Sequence, residues 1–352
     1  MIRVLIVDDS ALMRRQLSQI LSEAGGFEVR AAKNGREAVE ENRAFCPDVV
    51  TLDVNMPEMD GITALSLIMA ERPVAVVMVS SLTQEGALAT FEALNLGAVD
   101  YLTKPGGTMS VGMDLIRAEL LAKVRAASKA KLKGRRPVAH ERAHPAPETT
   151  KPVYIHRRGA SRDGLILVGA STGGPRTLEE ILSALPATLP LPVLVTQHMP
   201  PAFTKSFAER LDAQCPLRVV EANAPMSVQA GTIYIGKGGA DMVVSRRAGE
   251  LAVLPKPENP NHLWHPSVEL LGRSALECCD AADLIAVMLT GMGNDGSESF
   301  SQIRARGGKT IAESEESAVV FGMPAELIKC GGAQVVLSSD KIAAKIVQWS
   351  QC

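Results

Sequence analysis

Aromatic residues are scarce in this chain: two Trp, three Tyr and seven Phe among 352 residues. A platform for single-stranded nucleic acid needs several aromatic faces on which bases stack, so the composition argues against that class. A surplus of charge of one sign is also missing. The formal net charge is −2, which gives no global attraction for a polyanion. The six cysteines (Cys46, Cys215, Cys278, Cys279, Cys330, Cys352) form no C-x-x-C pair, and no His lies at zinc-finger spacing from them. They read as incidental thiols of a reducing compartment. No segment approaches the ~20 apolar residues of a membrane span. The apolar start MIRVLIV runs directly into acids instead of towards a cleavage site. The expected location is the cytoplasm, with no membrane insertion and no nucleic-acid partner.

What is present suits a folded two-domain protein. The chain is 46% hydrophobic and 22% charged, and its length allows two domains of about 100–200 residues each. In the first part, short apolar strands at Arg3–Val7, Val49–Leu52, Val74–Val79 and Ala98–Thr103 alternate with amphipathic stretches. That alternation predicts a parallel sheet covered on both faces. Residues 124–158 are rich in Lys, Arg, Pro and Ala and lack apolar periodicity, so they read as a solvated tether. From Gly164 the alternation resumes: LILVGAS, a helix from Pro175 to Leu185, LPVLVTQ, a helix at 203–211 and the buried run LIAVML at 284–289. Short strands at Ile233–Ile235 and Met242–Ser245 suggest an antiparallel excursion. Gly308–Ile311 and Gln334–Leu337 are candidates for further strands.

Chemistry collects at strand ends. Asp8 and Asp9 follow the first strand, Asp53 ends VVTLD, Ser80 ends VVMVS and Lys104 follows DYLT. In an open α/β sheet the carboxyl ends of the strands face one crevice. Three converging carboxylates attract a hard divalent cation, most naturally Mg²⁺. Asp53 can then attack phosphorus as a carboxylate nucleophile and form an acyl phosphate. Lys104 and Ser80 offer a charge and a hydrogen bond to the phosphoryl oxygens. The order DD, then D-x-N-M-P-x-M-D-G, then Ser, then K-P resembles a two-component response-regulator receiver. By that resemblance Asn55 completes the metal shell through its carbonyl, and Tyr101 is the aromatic that changes rotamer on activation.

In the second part, G-A-S-T-G-G-P places Ser171 between a strand and a helix. The glycine pattern alone leaves a nucleophile and a phosphate-binding turn equally open. A serine nucleophile needs a base. His140, His144 and His156 lie in or beside the tether, and His262 and His265 read as loop surface. His198 ends the next strand, at the same sheet edge as Ser171, and suits the role of general base. Asp295, in the loop T-G-M-G-N-D-G after another strand, can orient the imidazole. The chain order Ser, His, Asp is not that of α/β-hydrolases. No helix-turn-helix pattern supports a DNA-binding output. A non-catalytic adaptor, or an esterase or amidase acting on another protein, is an alternative to be separated by assay.

The whole chain resembles the chemotaxis protein-glutamate methylesterase family through GASTGG, QHMP, TGMGNDG, PSVELL and VVFGMP. The resemblance implies a flavodoxin-like receiver with a five-stranded parallel sheet at 1–123, a linker at 124–158 and a doubly wound, mostly parallel α/β methylesterase domain at 159–352. It implies Ser171 as nucleophile, His198 as base, Asp295 as orienting acid, the Met292 amide in the oxyanion hole and Thr172 lining the site. The implied substrates are methylated chemoreceptors, whose glutamate esters are hydrolysed and whose glutamines are deamidated. The implied phosphodonor is a chemotaxis histidine kinase. Hydrolysis itself needs no cofactor. In the family the unphosphorylated receiver packs over the hydrolase cleft.

Overall fold

A computed structural model describes residues 1–81, 83–104, 109–131 and 164–351. The first domain runs β1 (Ile2–Val7), α1 (Ala11–Ala24), β2 (Phe27–Ala32), α2 (Gly35–Phe45), β3 (Val49–Asp53), α3 (Gly61–Glu71), β4 (Ala75–Ser80), α4 (Gln84–Leu96), β5 (Asp100–Thr103) and α5 (Met109–Ala127). Its sheet is parallel with order β2-β1-β3-β4-β5. β3 and β4 are buried along their whole length, which is why they read as continuous apolar runs. β2 escaped the sequence reading because it is an edge strand that exposes Glu28 and Arg30. Ser10, Asn34, Asp60 and Thr83 cap α1 to α4 with their side-chain oxygens, which satisfies amide groups that each helix start leaves free. Val124 and Ala127 of α5 are buried in the receiver core, so this helix runs past residue 123. Residues 132–163, with most of the expected linker and with His140, His144 and His156, lie outside the described residues.

The second domain runs β6 (Leu165–Ala170), α6 (Gly174–Ser183), β7 (Val193–Gln197), α7 (Pro201–Gln214), β8 (Arg218–Ala222), β9 (Met226–Ser227), β10 (Thr232–Gly236), β11 (Ala240–Arg247), β12 (Glu250–Pro257), α8 (Val268–Cys278), β13 (Leu284–Met288), α9 (Ser297–Ala305), β14 (Lys309–Glu313), α10 (Met323–Lys329), β15 (Val335–Leu337) and α11 (Ser339–Ser350). Seven strands form a parallel sheet of order β15-β14-β13-β6-β7-β10-β8. The antiparallel excursion exists as β11-β12-β9. Ile233–Ile235 is not part of it: these residues belong to β10 and pair in parallel with β7 and β8.

Chain direction across the sheet explains where the chemistry lies. After β6 the chain adds β7 on one side, and later β13 on the other. The crevice at such a reversal is where open α/β sheets bind ligands. Ser171 follows β6, His198 follows β7 and Asp295 lies beyond β13. The receiver has the same arrangement around β1 and β3, whose ends carry Asp8, Asp9 and Asp53.

The two domains share one apolar core. Phe91 of α4 stacks on Phe207 of α7 with ring centroids 5.4 Å apart and meets Phe203 edge-on at 6.3 Å. Tyr101 of β5 stacks on Phe203 at 4.8 Å.

Candidate active site and phosphoacceptor pocket

In the receiver pocket Asp8 and Asp53 are buried and Asp9 is exposed. One oxygen from each lies within 4.8 Å of the others. Lys104 Nζ sits 2.7 Å from Asp53 Oδ2 and 3.0 Å from Asp8 Oδ2. Asp8 Oδ2 is buried and faces only the Lys104 ammonium, so a divalent cation would compete with Lys104 for the same oxygen. Burial pushes the Asp53 carboxyl up to about 6, against the pull of Lys104 and with the Asp8 charge adding to the rise. Ser80 Oγ donates to the Gly86 carbonyl in the first turn of α4, 3.1 Å away, so it is not yet turned towards Asp53.

The raised Asp53 value has a consequence for stability. A carboxyl with a folded value above its unfolded one contributes stability that is complete below the unfolded value, near 3.8, and lost as pH rises through about 6. At neutral pH and without divalent cation, Asp53→Asn is therefore expected to stabilise the receiver by about 3 kcal/mol. Thermal melts in chelator at pH 7 check this. A variant that melts no higher than wild type contradicts it.

In the second domain His198 Nε2 lies 2.8 Å from Asp295 Oδ2. Its amide donates to the Ala170 carbonyl, and Gln197 Nε2 donates to the carbonyls of both Ser171 and His198. The Ser171 turn and His198 are thus tied together by one amide. His198 Nδ1 is buried with no partner, and no hydrogen bond joins it to Ser171 Oγ in this conformation. Such bonds are often absent before substrate binds. The imidazole bonds the acid through Nε2, leaving Nδ1 for the serine, the reverse of the usual triad orientation.

Asp295 lies at the start of α8. Its carboxylate accepts from Ser267 Oγ and from the amides of Val268 and Glu269 at 2.7–3.0 Å. Burial works to raise its pKa, but the His198 bond and charge and these amides outweigh burial and hold it below the usual range. An ionised carboxylate at a helix N-terminus is favoured by the same dipole.

Ser171 differs from a strained elbow. The residue with positive φ is Gly173, at +77°, and Ser171 is not among those with positive φ. A Cβ on Gly173 would also stand 2.5 Å from the Val319 side chain. Neither the Thr172 nor the Met292 amide donates a hydrogen bond to any described residue, which leaves both for an oxyanion. Gly291 is packed against Ser171: a Cβ there would lie 2.7 Å from Ser171 Cβ and 2.4 Å from Met323 Sδ. Gly291→Ala is expected to displace Ser171 and lower kcat by about 10²-fold, read as methanol release; unchanged kcat would refute the tight fit.

Thr172 does more than line the cleft. Its hydroxyl donates to Asp100 Oδ2 of the receiver at 2.5 Å, which binds the residue after the nucleophile to the residue before Tyr101. Lys123 completes this junction. It pairs with Asp100 at 3.4 Å and with Glu119 at 2.9 Å, donates to the Tyr101 carbonyl and lies over the Tyr101 ring. The Tyr101 hydroxyl is buried without a partner.

His265 is not loop surface. Its Nδ1 lies 2.9 Å from Oδ1 of the buried Asp241, whose carboxylate also accepts from the amides of Asn259 and Ser267. Gln197, Ser267 and Trp264 were not singled out as site residues. Gln197 and Ser267 stand inside QHMP and PSVELL, so the motifs carried a signal without a role. Trp264 had only its place beside PSVELL.

Residues 166–346 match the family described as CheB methylesterase, and residues 4–111 match the response regulator receiver domain. The chain is 51% identical to protein-glutamate methylesterase/protein-glutamine glutaminase 3 of Rhodospirillum rubrum over 99% of this chain and 96% of that one. It is 44% identical to the protein-glutamate methylesterase/protein-glutamine glutaminase of Archaeoglobus fulgidus, over 99% and 97% of the two chains. Its catalytic half is similar to the crystal structure of the Thermotoga maritima CheB methylesterase catalytic domain, with 38% identity and a TM-score of 0.51, covering 53% of this chain and 97% of that one.

Proposed function

The chain belongs to the CheB methylesterase family, a receiver joined to a protein-glutamate methylesterase and protein-glutamine glutaminase, and from that premise we propose that Ser171, His198 and Asp295 perform both hydrolyses under the control of Asp53. The observation that carries this reading is the His198–Asp295 bond, which engages Nε2 and leaves Nδ1 unpartnered, on a residue tied to Ser171 through Gln197.

His198 Nδ1 takes the Ser171 proton as Oγ attacks the glutamyl ester carbonyl. Asp295 holds Nε2–H and stabilises the imidazolium. The Thr172 and Met292 amides receive the oxyanion. The tetrahedral intermediate collapses, and as the C–O bond to the methoxy group breaks the imidazolium protonates that oxygen, which leaves as methanol. Water, deprotonated by His198, then hydrolyses the acyl-enzyme. With a glutamine side chain the same steps release ammonia.

The substrates are methylated and amidated glutamyl side chains of chemoreceptors. The phosphodonor is a chemotaxis histidine kinase. Mg²⁺ would be held by Asp8, Asp9 and Asp53 with the Asn55 carbonyl, and would neutralise charge around the incoming phosphoryl group. Lys104 binds the phosphoryl oxygens, and Ser80 reaches them once it leaves Gly86. We place the receiver at 1–123, with α5 continuing into a tether, and the catalytic domain from 159 to the end. No helix among the described residues is long and apolar enough to cross a membrane, and the site of action is the cytoplasm. Incubation with receptor membranes tests the substrate. Methanol from methylated receptor and ammonia from amidated receptor are expected. Release of neither, by enzyme that hydrolyses another protein's esters, would replace the substrate.

A further inference from the structure

We propose that Trp264 is a positioning residue for His198, its indole face holding the imidazole in plane and stabilising the charge that the ring gains in the transition state. The inference rests on His198 as the base. The two rings are parallel within 3° and their centroids are 5.6 Å apart. This is offset stacking, inside the ~6 Å over which a ring face attracts a cation. Asp295 fixes one edge of the imidazole through a single hydrogen bond, which leaves rotation about that bond free. A stacked face removes that freedom.

Trp264 is itself held by its own packing and by its anchored neighbours in sequence. Its six-membered ring lies against Gly293, where a Cβ would stand 2.6 Å from Cζ2; the glycine of T-G-M-G-N-D-G makes room for the indole. Next in sequence, His265 is anchored on buried Asp241. Asp241 also accepts from the Ser267 amide, and the Ser267 hydroxyl donates to Asp295. One short segment therefore carries the stacking ring and a hydrogen-bond donor to the orienting acid. Trp264 is half-buried and its neighbour Leu263 is 85% exposed, so the segment borders solvent without belonging to the main core.

Asp295 bonds His198, and the next residue after Trp264, His265, pairs with Asp241. During attack on the ester His198 becomes an imidazolium. The indole face then lowers the barrier, while substrate binding is untouched because the ring acts through His198.

The test uses phosphorylated full-length protein and methanol release. Trp264→Leu is expected to lower kcat by about tenfold with KM within about twofold of wild type, and Trp264→Phe to restore most of the loss because it keeps a ring face. Equal kcat for the Phe and Leu variants would show that bulk alone matters, and a change confined to KM would make Trp264 a substrate contact. Either result overturns the proposal. Ser171→Ala, run alongside, separates this from the triad assignment, since it is inactive whether or not Trp264 matters. A second measurement leaves Trp264 in place. In a Trp349→Phe background its emission should fall as pH is lowered, and His198→Gln should abolish the fall. A fall that persists in His198→Gln would assign the contact to His265 and contradict the stack.

Discussion

Ser171→Ala is expected to lower kcat for methanol release by about 10⁶-fold, the scale seen when a triad serine is removed. The variant should fold normally. Ser171 Oγ makes no hydrogen bond to His198, so its loss leaves no buried partner stranded, and the backbone bonds from Ser171 to Thr290 and from Gly174 to Ser171 do not involve the side chain. Asp295→Asn should cost less in rate, about 10⁴-fold, because the serine and the oxyanion donors remain. It should cost more in stability. The amide nitrogen replaces one of the two oxygens and cannot accept there, which strands either the donors on Oδ1, Ser267 Oγ and the Glu269 amide, or the Val268 amide on Oδ2, and each buried unmet donor costs about 1–3 kcal/mol. The opposite ranking, with Ser171→Ala the milder lesion in rate, would place the nucleophile elsewhere.

The second large effect concerns the junction between the domains. Phe91→Ala is expected to raise the activity of unphosphorylated protein several tens-fold, towards the level of phosphorylated wild type. Phe91 is buried against Phe203 and Phe207 of the catalytic domain. Truncating a buried Phe costs about 3–5 kcal/mol, and a swing from 1:99 to 99:1 needs about 5.5 kcal/mol. Loss of this one ring therefore covers much of the difference between closed and open. Removing the Thr172–Asp100 bond with Thr172→Val acts on the same equilibrium but also alters the cleft, so Phe91→Ala is the cleaner test. Unchanged basal activity, in a variant that still accepts phosphate, would mean that this interface does not restrain the enzyme.

A route from Asp53 to that interface follows from the contacts. Ser80 Oγ now holds the Gly86 carbonyl of α4. Recruiting it to a phosphoryl group on Asp53 breaks that bond at the start of the helix that carries Phe91. We propose Tyr101 as a second lever. Its buried hydroxyl lacks a partner, a cost of about 1–3 kcal/mol that the closed state bears and a rotated Tyr101 would recover.

Strand ends were the most legible part of the sequence. Asp8, Asp53, Ser171 and His198 each follow an apolar run, and a parallel sheet brings such positions to one edge whatever the helices do. Asp295 was legible for the same reason. Strands β2 and β8 were not legible because they are edge strands that carry charged residues on a solvent-facing side. His265 read as surface because its partner Asp241 is 24 residues away, and no local pattern announces a pairing of that range. The Phe91–Phe203 and Thr172–Asp100 contacts were illegible for a stronger reason. A domain interface joins two surfaces that each fold independently of the other's sequence. Ser171 fitted G-x-S-x-G, but the φ values place the left-handed turn at Gly173, so the bend lies two residues beyond the serine.

The central claim is that phosphate on Asp53 releases a Ser171 hydrolase. Its most direct test is methanol release from methylated receptor membranes by wild type and Asp53→Asn, each with and without a small-molecule phosphodonor and Mg²⁺. The account predicts a phosphodonor-dependent rise for wild type and none for Asp53→Asn. A rise of equal size in Asp53→Asn would contradict it.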